Sequence, residues 1–223
     1  MPSEQLTAPS PLRKLRHYLA WPFAAGLAVF AHSTDLGFRI GVPVILAGEL
    51  VRIWAQGYLL KSRQLTTDGP YAFVRHPLYV GNFLIGAGFC MIIWHPLVAI
   101  FFVASFFSVY WLTVRLEEQK LHERFEPAFA SYVQHVRRFW PRWAPYPHRS
   151  RDPFVWSRVW GHGEHITILA IVCLLLGVSL RQELYQERQP VSAVWGPIAW
   201  IAVIGFILAF FQFQRRRDVA TKS

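Results

Sequence analysis

Two short stretches hold most of the side chains in this sequence that could do chemistry. The first runs from Leu65 through Gly69-Pro70-Tyr71 to Arg75-His76-Pro77-Leu78-Tyr79-Val80-Gly81. Gly69-Pro70 marks a turn. Pro77 suits the first turn of a helix, where a missing N–H costs nothing. Arg75 and His76 then flank a helix N-terminus, whose free N–H groups and partial positive charge favour an anionic ligand group. The second stretch holds Arg115, Glu117, Glu118, Lys120, His122 and Phe125, then Tyr132 and Arg137-Arg138. Each residue alone has a bland reading. Arg75 could be a membrane flank and Tyr79 an interfacial aromatic. Glu118 with His122, or Glu117 with Lys120, could be helix-face pairs worth about 0.2–0.5 kcal/mol. A Glu pair in otherwise basic surroundings is harder to dismiss. If the two stretches meet, they make a mixed-charge pocket with aromatic walls.

The elements around them bring the stretches together. The 223 residues are 53% hydrophobic and only 16% charged, with ten Trp and eighteen Phe. Soluble domains average roughly 25% charged residues, so the composition points to an all-α polytopic membrane bundle in a single domain, 1–223. Spans of about 20 apolar residues are expected at 18–31, 36–60, 78–94, 96–114, 166–180 and 194–213. Pro43 is expected to kink the second. Only His95-Pro96 separates the third and fourth, which predicts a tight hairpin with both stretches at one end. Pro127 should interrupt the helix that follows, and Glu117-Glu118 are expected to open that helix.

Charge sets the orientation. The net charge is +10, with a sequence pI near 10.1. Arg13, Lys14, Arg16, Lys61, Arg63, Arg75, the 115–164 region and Arg215–Arg217 fall on one side of six spans. The positive-inside rule then places both termini, and both stretches, in the cytoplasm. The basic excess fits anionic headgroups rather than nucleic acid. Trp140, Trp143, Trp156 and Trp160 alternate with arginines and read as an interfacial segment, serving either anchoring or headgroup recognition. The first apolar run is not followed by a small-residue cleavage site, so no signal peptide is expected.

The set Gly69-Pro70-Tyr71, Arg75-His76-Pro77-x-Tyr79-x-Gly81, Glu117-Glu118-x-x-Leu121, Phe125 and Tyr132 resembles the integral-membrane methyltransferases. These include the isoprenylcysteine carboxyl methyltransferases and the phospholipid N-methyltransferases. The resemblance covers about residues 45–140, with two further spans at about 165–213. It implies S-adenosylmethionine as methyl donor and a lipid-like or small hydrophobic acceptor. It implies that Tyr71, Arg75, His76, Pro77, Tyr79, Gly81, Glu117, Glu118 and Tyr132 surround the donor. Glu117 or Glu118 would meet the cationic groups, Arg75 or the helix N-terminus the carboxylate, and aromatic faces the sulfonium. Glu118 and Arg138 are the candidate catalytic residues, and Arg52 and Arg138 the candidates for an anionic acceptor group. Glu126 stands where the family commonly has Gly, and Phe129 where Tyr is often found.

Two other classes compete. Membrane sterol and steroid reductases share a similar Arg-His-Pro-x-Tyr-x-Gly string and use NADPH, but tend to follow it with Glu where this chain has Asn82. A small transporter or scaffold would account for the spans and for Glu49 and Arg52, ionisable residues inside the second span. Gly37-x-x-x-Gly41 and Gly86-x-Gly88 fit close helix packing. No metal site is expected, because His32, His95, His162 and His165 lack ligand spacing. Cys90 and Cys173 read as small buried hydrophobes.

Overall fold

The computed structural model describes residues 33–60 and 64–186. The spans expected at 18–31 and 194–213, and the basic residues of both chain ends, lie outside these. Among the described residues the chain is all helical, with six α-helices. These are α1 Asp35–Tyr58, α2 Pro77–Ile93, α3 Pro96–Phe125, α4 Ala128–His135, α5 Trp156–Gly161 and α6 Glu164–Arg181. A single 3-10 turn, Gly69–Ala72, precedes α2. The helices Pro96–Phe125 and Glu164–Leu184 are long and apolar enough to cross a membrane.

Helix α1 starts where the Thr34 hydroxyl accepts the Gly37 N–H at 3.1 Å, with Asp35 complementing the helix dipole. It passes through Pro43 unbroken. Its partner is α2, antiparallel and very close. A Cβ on Gly41 would lie 2.5 Å from the Gly88 carbonyl oxygen, and one on Gly48 would lie 2.7 Å from that of Gly81. Only glycine lets the backbones approach this far. Trp94, in the left-handed region with φ 51°, closes α2, and Pro96 opens α3. The expected hairpin forms, with Phe83 on Phe106 and Tyr79 on Tyr110.

Helix α3 differs from expectation. No new helix begins at Glu117; α3 runs on to Phe125. No Gly or Pro interrupts the chain before Pro127, so the apolar span continues straight into its polar extension. Pro127 then separates α3 from α4.

Two apolar cores hold the bundle. Ile45, Phe89, Ile92, Ile93 and Val98 pack with Ile171 and Val178 of α6. A smaller core of Ala72, Phe129, Tyr132, Val136 and Tyr146 lies at the end carrying the motifs. There the strap 136–155 is zipped to the 64–76 segment. The N–H groups of Arg75 and His76 donate to the carbonyls of Arg137 and Arg138, and those of Arg142 and Tyr146 donate to Phe73 and Ala72. Asp68, 3% exposed, accepts the N–H groups of Arg151 at 2.8 Å and Asp152 at 3.1 Å. Trp140, Trp143, Trp156 and Trp160 are all exposed.

Candidate functional site: a charged pocket at the hairpin end

The hairpin delivers the two motifs to one place, and Glu118 is the hub. Its Oε1 lies 3.1 Å from His76 Nε2 and 2.9 Å from Arg75 Nη1. Arg138 grips it through Nε and Nη2, the shortest contact being 2.7 Å. Burial alone would raise this carboxyl. The hydrogen bonds from His76 and Arg138 and the charge of Arg75 outweigh that and hold it down to about 2. Glu118 therefore has no side left open. It anchors α2, α3 and the strap to one another through His76, Arg75 and Arg138. The expectation that it would pair with a cationic ligand meets a carboxylate already given to Arg75, Arg138 and His76.

Glu117, one residue away, is placed differently. Its side chain is 39% exposed and lies 4.0 Å from His76 Nδ1. It accepts the Tyr79 hydroxyl at 2.5 Å. Tyr79 stacks on the His76 ring at 5.6 Å and meets Tyr110 edge-on at 4.6 Å, and the Phe139 ring lies tilted 6.3 Å from that of His76. This is an open carboxylate bordered by aromatic faces.

A cleft of about 510 Å³ is lined by Arg75, Arg137, Arg138 and Arg142 with residues 133–136. That volume is within the ~300–1,000 Å³ of small-molecule sites. Arg75 is 10% exposed, and its Nε makes no hydrogen bond; Nη1 is close to Glu118 without hydrogen-bond alignment. Burial lowers the Arg75 pKa, while the hydrogen bond to Glu118 raises that of Arg138.

The other expected residues sit behind these. Tyr132 donates to the Tyr71 carbonyl at 2.6 Å, tying α4 to the turn before α2. Burial pushes both phenols up, so both are neutral near pH 7, and the Tyr71 hydroxyl is buried without a partner. Pro77 begins α2 and is fully buried. Gly81 packs under Arg52, where a Cβ would lie 2.5 Å from its Cγ, so its proximity to α1 explains it.

Arg52 is not with Arg138. It points into the helices and pairs with Glu164 through Nε at 2.7 Å and Nη2 at 2.9 Å. Glu49, at i, i+3 on the same helix, approaches Arg52 Nε only to 3.8 Å. Sequence reading missed Glu164, Asn82, Tyr110 and Asp68. An acid opening an apolar helix, as Glu164 does, is the signal that could have found the first.

A membrane-type helical bundle with an arginine-lined cleft and an open carboxylate at one end is the class these features define. Residues 43–123 match the model of the isoprenylcysteine carboxyl methyltransferase family. Over that segment the chain is similar to this family of membrane methyltransferases, whose members use S-adenosylmethionine. The chain is also similar to the nickel-cobalt-cadmium resistance protein NccN of Alcaligenes xylosoxydans xylosoxydans, 28% identical over 61% of this chain and 71% of that protein. It is 33% identical to the cobalt-zinc-cadmium resistance protein CzcN of Cupriavidus metallidurans over 56% of this chain and 61% of that protein. The chain thus matches less than two thirds of the length of CzcN. No solved structure matches.

Proposed function

We propose that this protein transfers a methyl group from S-adenosylmethionine to an amphiphilic acceptor that reaches the pocket from the bilayer. The observation that carries this reading is the division of labour within Glu117-Glu118. Glu118 is used up in holding Arg75, His76 and Arg138, while Glu117 stays open beside Tyr79. When bound, S-adenosylmethionine supplies an electrophilic methyl on a sulfonium that leaves as a neutral thioether.

Glu117 meets the donor's cationic end, and the faces of His76, Tyr79 and Phe139 shield the sulfonium. The arginine cleft takes the carboxylate. The residues fit a donor carrying both charges. Methyl transfer is an in-line displacement. The acceptor's lone pair forms the new bond to carbon as the carbon–sulfur bond breaks, so fixed positions supply much of the rate. The pocket lies at the cytoplasmic surface of a multi-pass bundle with both termini inside, as the Lys and Arg asymmetry requires.

Titration of the purified protein in detergent with S-adenosylmethionine and with NADPH tests the reading. Saturable donor binding with no NADPH binding is expected; the reverse would make the protein a reductase. The resistance proteins' names supply a physiological setting. A strain lacking this protein is expected to grow poorly on nickel, cobalt, zinc or cadmium, with rescue by the wild type and not by Glu117→Gln.

A further inference from the structure

Helix α3 carries an outer face that the chemistry above does not use. Leu97, Ile100, Phe107 and Trp111 are exposed on it, and the exposed Arg115 follows one turn later. Separations of 3, 7, 4 and 4 residues put all five on one stripe of a helix with about 3.6 residues per turn. The apolar part, Leu97 to Trp111, is about 21 Å long at 1.5 Å per residue. That exceeds the ~15 Å hydrocarbon depth of one bilayer leaflet. Tryptophan closes the stripe where the helix turns polar, and arginine follows at the level of the phosphates.

Arg115 is a cation without a carboxylate. Among the described residues it forms no ion pair, and its contact is the Trp111 ring, 4.8 Å from the guanidinium carbon. Glu117 comes two residues later, about 200° round the helix, and bonds Tyr79 instead. Glu118 is already given to Arg75, Arg138 and His76. A guanidinium resting on an aromatic face keeps its N–H edge for an anion.

The strap brings a second element to the same level. The Arg138 guanidinium also lies over the Trp111 ring, at 5.7 Å. From there the strap runs into Trp140 and Trp143, both exposed. Between residues 136 and 155 it carries five arginines against one acid, Asp152. Two elements distant in sequence thus set tryptophan and arginine at one depth, the pattern of a membrane–water interface.

We propose that the Trp111–Arg115 end of α3 binds an anionic phospholipid. Its phosphate sits on Arg115, its glycerol backbone beside Trp111, and an acyl chain runs along Phe107 toward Leu97. Charge and shape together select this occupant. A free inorganic anion would use Arg115 but not the apolar stripe. A zwitterionic lipid would use the stripe but bring no net charge to the unpaired guanidinium. The lipid docks on the outside of α3 and is not consumed, so the site is independent of the methyl-transfer reading.

Purified full-length protein in mixed micelles is titrated with phosphatidylglycerol or phosphatidylcholine whose acyl chains carry bromine, which quenches tryptophan on contact. The difference between wild type and Trp111→Phe gives the Trp111 signal. Phosphatidylglycerol is expected to quench it at about fivefold lower mole fraction, the worth of one arginine at an anionic surface. That preference should shrink as salt rises. Arg115→Gln should make the two lipids nearly equal, and Arg115→Lys should keep part of the preference. Arg115 is exposed, so both variants should keep the wild-type thermal midpoint. Equal quenching by the two lipids in the wild type would overturn the site and leave ordinary lipid contact. A preference that survives Arg115→Gln would overturn it in favour of the strap's diffuse charge. Quenching by neither lipid would mean that a second copy covers the stripe. Relief of phosphatidylglycerol quenching by inorganic phosphate at matched ionic strength would make Arg115 a site for soluble anions, and each of these results also overturns the proposal. S-adenosylmethionine titrated in parallel keeps the two readings apart. Loss of the lipid preference leaves donor binding untouched, and failure to bind the donor leaves the lipid site standing.

Discussion

Replacing Glu118 by Gln removes the charge on which Arg75, Arg138 and His76 converge while preserving the shape of the side chain. Arg75 and His76 are only 10% and 8% exposed, so solvent replaces it poorly. Arg138 is 37% exposed, so its share is screened and small. Breaking a buried ion pair by removing one partner costs about 3–5 kcal/mol. The titration of Glu118 gives an independent figure. A carboxyl held from its ordinary 4.5 down to about 2 is worth about 3 kcal/mol at 1.36 kcal/mol per pH unit. The two agree in order of magnitude. The sign follows from linkage: a carboxyl whose folded pKa is depressed stabilises above its unfolded pKa. That stability is lost as the pH falls through the folded value. Wild-type stability should therefore decline between about pH 5 and pH 2, and Glu118→Gln should lack this component of the decline. Thermal unfolding in detergent from pH 7 to pH 3, followed by tryptophan fluorescence, measures both effects. A variant as stable as wild type at pH 7, with an unchanged acid profile, would refute Glu118 as the hub.

Glu117→Gln should behave in the opposite way, with near-wild-type stability and donor affinity reduced by about 10- to 150-fold, the worth of a charged hydrogen bond, as read by calorimetric titration. Asp68→Ala strips the acceptor from the Arg151 and Asp152 amides. It should cost about 1–3 kcal/mol and appear as faster hydrogen exchange at those two amides and new protease cleavage in the 149–153 segment. Gly41→Val drives a side chain into the Gly88 carbonyl. It should cost about 1–3 kcal/mol or more and give a lower thermal midpoint or aggregation on size exclusion, whereas Gly177→Ala, with nothing within 4 Å, should not.

The legible parts of the fold were those encoded by local pattern. Apolar length found α1, α2, α3 and α6, and His95-Pro96 placed the turn, because each depends on neighbours in sequence. The meeting of Arg75, His76 and Tyr79 with Glu117 and Glu118 followed from the hairpin alone. The end of α3 was misread because two acids resemble a first turn; only the absence of a breaker before Pro127 says otherwise. Partner choice among charges was not legible. Glu118 could have paired with His122 on its own helix, yet it pairs with Arg138, and His122 lies 3.4 Å from Glu126. Arg52 likewise leaves Glu49 for Glu164, which is 112 residues away. Such choices depend on which helices pack, and buried charge takes the partner giving the best two-point geometry.

That preference also explains why the reactive surface is so narrow in a chain carrying ten excess positive charges. Each buried cation at the motifs is bound to a carboxylate that another element contributes: Arg75 of the pre-α2 turn with Glu118 of α3, and Arg52 of α1 with Glu164 of α6. These pairs lock element to element, so their members cannot be surrendered to a ligand without loosening the bundle. One carboxylate at the motifs escapes the arrangement, Glu117 toward solvent, and a run through Tyr79, Tyr110 and Asn82 joins it to the Arg52–Glu164 pair.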